Sequence, residues 1–272
     1  MLTYRILPTL LTIALIACFA SDAIASRITI SGNSDYRIGL GGEFNVRAAD
    51  PAGAALLSPA LTDGYYFAPG LQTVGNANGT KMYVGDVVGF QTFCIEYNEH
   101  ISLNGTYEAE ITNGASLGGV AGGVDPDGAG PQPKIDRISI GTAYLYSLFA
   151  TGKLPTYTYA NGSARANDAA LLQQAFWYLE DEMSLSATQK SNNRFLTGAG
   201  FGAITMFGDG TGVGIGGAKA NNTTYNVAVL HLTTVAGGPS QDQLINLPDG
   251  GATSLLLGVG LSGLALLRRK RN

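Results

Sequence analysis

One cysteine and one glutamine offer this chain a reaction. The chain holds two cysteines, and Cys18 falls in an apolar N-terminal run, so Cys94 is the one thiol in the body of the sequence. It sits in Phe93-Cys94-Ile95-Glu96, an apolar, strand-like setting. With no second cysteine to pair inside the chain, Cys94 is free, bonded to another chain, or reactive. Further on, Leu171-Leu172-Gln173-Gln174-Ala175-Phe176-Trp177 reads as part of a helix. Successive helical residues turn by about 100°. Around Leu172, this gathers Ala175, Phe176, Leu179 and Met183 into a buried stripe. Gln173 then lies at the rim of that stripe, beside Phe176, Trp177 and Glu180, while Gln174 falls on the polar side. The expectation is that Gln173 faces Cys94 and Gln174 faces solvent.

Cys94 followed by Ile95, and Gln173 followed by Ala175, Phe176 and Trp177, resemble the two signature motifs of thioester domains in bacterial surface proteins. The resemblance implies a bond between the cysteine sulfur and the glutamine side-chain carbonyl, made with loss of ammonia. Two positions depart from the family pattern: Phe93 replaces a tyrosine and Leu172 a threonine. The chemistry is sound in principle. A thiolate is a strong nucleophile, but an amide resists attack unless held in contact with its developing oxyanion stabilised. Phe93, Ile95, Phe176 and Trp177 are the expected shield against water, and Glu96 or His100 the expected helpers in proton transfer. An amine or hydroxyl on a target would then take the acyl group. The alternative makes Cys94 a buried hydrophobe and Trp177 a core aromatic.

Other patterns carry less chemistry. Asp125-Pro126-Asp127-Gly128 has two carboxylates where calcium wants six or more oxygens, so it reads as a solvated turn. His100 and His231 stand apart, which predicts no metal site and no cofactor. Glu180-Asp181-Glu182 closes the helix as a solvated face. No G-x-S-x-G elbow occurs, and Gly208 to Gly217 lacks the Lys-Ser/Thr of a phosphate loop. No catalytic residues are assigned, and the expectation is a non-enzymatic protein.

Strands and helices to carry Cys94 and Gln173 follow from patterning. Arg27 to Ser31, Gly42 to Arg47, Lys81 to Gln91, Thr106 to Ile111 and Thr224 to Thr233 alternate as strands. Asn-Gly pairs at 78, 104, 113 and 161 mark turns. Gly114 to Pro133 reads as a loop. A helix containing Ile138, Ala143, Tyr144 and Leu148 stops near Gly152. A second, capped by Asn167-Asp168, runs to about Met183, and a third starts near Ser186. The expected fold class is α+β: a β-sandwich or barrel-like domain over 26–246 with a helical insertion at about 136–200.

The chain ends carry addresses. Arg5, an apolar run from Ile6 to Ala20, and Ala23-Ile24-Ala25 make a secretory signal peptide over 1–25, cleaved by signal peptidase. Leu15-Ile16-Ala17-Cys18 is a rival lipoprotein box. At the other end, Leu247-Pro248-Asp249-Gly250-Gly251 precedes an apolar run from Ala252 to Leu267 and the basic tail Arg268, Arg269, Lys270, Arg271. That order over 247–272 resembles the PEP-CTERM class of bacterial sorting signals, in a Pro-Asp-Gly-Gly variant. Gln241-Asp242-Gln243-Leu244, just before it, is also similar to that class. The resemblance implies processing by an exosortase of a Gram-negative bacterium with an exopolysaccharide matrix. Until processing, the apolar helix would hold the chain in the membrane; a plain membrane anchor is the alternative.

Only 13% of residues are charged, about half the usual share. A basic nucleic-acid binder, a coiled coil and a polytopic membrane protein are thereby excluded. Without Arg5, the four tail bases, Asp22 and Asp249, the remainder keeps 11 basic and 18 acidic residues. That balance disfavours nucleic acid as a partner. The expected protein is exported and surface- or matrix-associated, with a Cys94–Gln173 thioester for covalent attachment to an amine-bearing surface target. The alternative is a structural exopolysaccharide-matrix protein without the bond.

Overall fold

The computed structural model describes residues 25–38, 41–58, 83–84, 87–115, 136–160, 162–209 and 225–247. The expected signal peptide, the sorting motif, the apolar run, the basic tail and the expected turn at Asp125 to Gly128 lie outside these residues. Among the described residues, no helix is long and apolar enough to cross a membrane.

The strands β1 (Arg27–Ile38), β2 (Gly41–Ala48), β3 (Tyr83–Val84), β4 (Val87–Thr92), β5 (Gly105–Thr112), β8 (Val227–Thr234) and β9 (Pro239–Asn246) form one antiparallel sheet. Their order is β3-β4-β2-β1-β5-β8-β9. β6 (Gly114–Ala115) and β7 (Asp136–Arg137) pair separately. Register puts apolar residues in rows: Ile30, Val46 and Phe90 sit side by side across β1, β2 and β4, all fully buried. Each such side chain contributes about 1.5–3 kcal/mol through burial.

The sheet curls into a half-barrel, and its far edge meets the chain just past β4. Leu244 N–H donates to Phe93 O and Ile95 N–H to Asp242 O, both at 3.1 Å, with Cys94 opposite Gln243. Thr92 Oγ1 adds a bond to Leu244 O at 2.6 Å. Of the two expected forms, sandwich or barrel-like, the single curled sheet corresponds to the barrel-like one, within an α+β fold. Cys94 lies on the seam that stitches its ends.

Helices cover the sheet. α1 (Pro51–Leu57) starts at Asp50, whose carboxylate accepts from Gly53 N–H at 2.6 Å. α2 (Ile140–Ala150) is capped by Ser139, and α3 (Ser163–Leu179) packs on β1 and β2. α4 (Ala187–Asn192) has a capping box between Ser186 and Gln189. The short α5 (Arg194–Thr197) and α6 (Ala203–Phe207) follow.

Several expectations need correction. α3 begins four residues before Asn167, and Gly162 caps it without a side-chain bond. Asp168 instead accepts from Thr158 N–H at 2.6 Å and pairs with Arg194. The helix ends at Leu179, short of Met183. Lys81 to Gln91 holds a hairpin, β3 and β4, rather than one strand. Gln241 to Leu244, which resembles the stretch before such sorting signals, is the middle of β9. Glu180 and Glu182 are buried, not solvated. Glu180 accepts from Ser139 N–H at 3.0 Å, joining the end of α3 to the start of α2. Glu182 accepts from Tyr97 N–H at 2.9 Å.

Candidate functional site

Two elements bring the site together. The seam segment after β4 presents Cys94, and one face of α3 presents Gln173. That face is Leu172, Ala175, Phe176 and Leu179, all buried, and it seats the helix against the sheet. Gln173 is 1% exposed and Gln174 half-buried.

Cys94 and Gln173 meet. The Cys94 thiol donates to Gln173 Oε1 at 3.3 Å, and Gln173 Nε2 donates back to Cys94 O at 2.8 Å. Gly42 N–H donates to the same Oε1 at 3.1 Å. The amide oxygen is thus held by a fixed backbone donor, with the sulfur against it. Gly42 has φ 115°, a backbone region open to glycine. Gly41 allows the close approach: a Cβ there would lie 2.4 Å from Trp177 Cη2 and 2.5 Å from Gln173 Cγ.

The four residues expected to shield the pair, Phe93, Ile95, Phe176 and Trp177, are all buried. Phe93 is fully buried, with its ring edge-on to Phe149 at 4.9 Å and to Phe176 at 5.3 Å. Ile95 and Trp177 are buried, and the exposed Tyr97 ring stands edge-on to Trp177 at 5.0 Å. Cys94 itself is 0% exposed. Burial pushes its thiol above the ordinary range, and a charge on Glu96 acts the same way.

The two proton-transfer candidates part company. His100 is exposed. Glu96 is buried, with Oε2 accepting from Asp242 N–H at 3.0 Å. Burial first, and the Asp242 charge next, push Glu96 up to about 10, so it is a neutral acid at pH 7. Asp242 also bonds His231 Nδ1 at 2.9 Å and accepts from Leu232 N–H at 2.9 Å. No group of three or more metal-ligating side chains occurs among the described residues.

Patterning did not point to Gly41-Gly42 or to the clamp behind them. Glu43, next in β2, receives Arg165 Nε at 2.8 Å and Nη2 at 2.5 Å, with both partners fully buried. Tyr157 OH also donates to Glu43, and the Arg165 guanidinium lies 4.3 Å from the Tyr36 ring centre. The clamp fixes β2 to α3 two turns before Gln173. A glycine pair inside a strand pattern was the available signal for a close backbone approach.

Comparison with known proteins adds the address. Residues 248–271 match the VPDSG-CTERM motif, a C-terminal sorting signal of the PEP-CTERM type and the mark of an exported, surface-associated protein. No curated protein and no solved structure matches the chain. The matched segment contains neither Cys94 nor Gln173, so the thioester resemblance rests on the two short motifs alone.

Proposed function

We propose that this exported domain carries an internal Cys94–Gln173 thioester and uses it to attach covalently to an amine-bearing surface target. The carrying observation is the contact of the Cys94 thiol with the Gln173 amide oxygen while Gly42 N–H holds that oxygen. In formation, Sγ adds to the Gln173 side-chain carbonyl carbon, and negative charge gathers on Oε1 against the Gly42 donor. The thiol proton passes to Nε2, the C–N bond breaks, and ammonia leaves. Pre-positioning matters because a thiol and an amide do not react in free solution at useful rates. Phe93, Ile95, Phe176 and Trp177 then keep water from the acyl bond. A C-terminal signal of this type is consistent with processing by an exosortase, which would put the domain where a target can reach it.

A second reading also has an observation in its favour. Gln173 bonds Cys94 O and Gly42 N–H, and the thiol is neutral and buried, as suits a core contact in a structural matrix protein. Incubation with methylamine, followed by peptide mapping, separates the two. The thioester reading expects methylamine on Gln173, a freed thiol at Cys94, and neither in Cys94→Ala or Gln173→Ala. Gln174→Ala should label like the native chain. No incorporation into freshly prepared protein supports the structural reading.

A further inference from the structure

Acyl transfer out of such a site has a second charge to manage. When an amine adds to the Gln173 carbonyl of the thioester, Oε1 becomes an oxyanion facing Gly42 N–H. Collapse then breaks the C–S bond, and its electron pair stays on Cys94 Sγ. The setting opposes that charge: the sulfur is fully buried, and a charge on Glu182 raises its cost. Gly42 N–H is committed to the oxygen, so a second donor is needed.

One buried donor near the sulfur is unused. Trp177 is 4% exposed, and its indole Nε1–H has no hydrogen-bond partner, a costly state unless it serves a purpose. Gln173 and Trp177 are four residues apart and share one helix face. The ring edge next to the N–H is turned to the same place as the Gln173 stem: a Cβ on Gly41 would lie 2.8 Å from Trp177 Cζ2 and 2.5 Å from Gln173 Cγ. The indole is also the one side chain among those acting on Cys94 that favours its thiolate. Phenylalanine or leucine would be apolar there too but would bring no donor.

Resting on the thioester reading above, we propose that Trp177 is the leaving-group donor, its Nε1–H bonding to Cys94 Sγ as the C–S bond breaks. The amine nitrogen forms its bond to the carbonyl carbon, the sulfur takes the C–S pair, and the proton shed by the amine ends on sulfur. The products are a substituted amide at Gln173 and a neutral thiol at Cys94. The same hydrogen bond serves formation, when the thiol gives up its proton to the departing ammonia.

Trp177 is the chain's only tryptophan, so an analogue alters this one group. In the full chain, 3-benzothienylalanine at position 177 replaces the N–H by sulfur and keeps the ring shape. Methylamine addition, followed by intact mass, should slow by about tenfold or more, the rate equivalent of one hydrogen bond to a charged group. Labelling with 5-fluorotryptophan keeps the N–H and makes it more acidic, so addition should exceed the native rate. It also decides the matter if the thienyl protein does not fold. Native-rate addition without the N–H, or addition no faster than native with the fluorinated ring, overturns the donor role and leaves the thioester standing. Native protein with no loss of ammonia overturns the thioester and the donor role with it.

Discussion

Gly42 holds a backbone N–H on the Gln173 oxygen at φ 115°. An alanine there strains the backbone by about 1–3 kcal/mol and moves the donor. Gly41→Ala would drive a methyl into Trp177 Cη2 and Gln173 Cγ. Both variants should lower the thermal midpoint and leave Cys94 titrating as a free thiol. A Gly41→Ala protein that loses ammonia as fully as the native chain would contradict this close approach of β2 to α3. Among single residues the sequence was informative about which glutamine meets Cys94, because helical periodicity separates Gln173 from Gln174 by a full step of about 100°. It was silent about the glycines. A strand pattern from Gly42 to Arg47 explains those residues without any ligand for their N–H groups, and the partner lies 131 positions away.

The clamp between β2 and α3 holds the helix that carries Gln173 against the sheet. Glu43 and Arg165 are fully buried and bonded through two nitrogens. Removing one partner strands the other charge, a loss of about 3–5 kcal/mol. Arg165→Met should therefore cut the thermal midpoint sharply in a melting experiment, and Glu43→Leu added to it should recover much of the loss. An unchanged midpoint in the single variant would show that the pair contributes nothing. Elements with regular apolar alternation, such as β1 and β8, were legible from the sequence. β9 was not, because Gln241-Asp242-Gln243-Leu244 reads as similar to the sorting class rather than as a strand. Their burial is made possible by partners that patterning does not reveal: Gln241 Nε2 donates to Glu96 O at 2.5 Å, and Asp242 accepts from Leu232 N–H. The same holds for Glu180 and Glu182, whose carboxylates accept from distant backbone N–H groups.

Across the protein as a unit, the seam around Glu96 and Asp242 sets the pH response. Burial pushes Glu96 up to about 10, burial also raises Glu99, and the hydrogen bond to Asp242 raises His231. Each therefore binds more protons folded than unfolded, so stability is greatest in mild acid and falls as pH rises. Glu96 alone gives about 1.4 kcal/mol per pH unit between its unfolded and folded values. Melting temperature should decline from about pH 5 to about pH 9 as these groups lose their protons, and Glu96→Gln should flatten that decline. A midpoint rising over the range would contradict the assignment. The export address was the most legible feature of the chain, because a sorting signal is a short linear motif that needs no fold to be read. The thioester is a covalent change, and intact mass spectrometry is its plainest test. Native full-length or exported protein, prepared without amines in the buffer, should weigh less than its covalent composition by one ammonia, and the deficit should vanish in Cys94→Ala. A mass equal to composition, with Cys94 titrating as a thiol once the protein is unfolded, would contradict it.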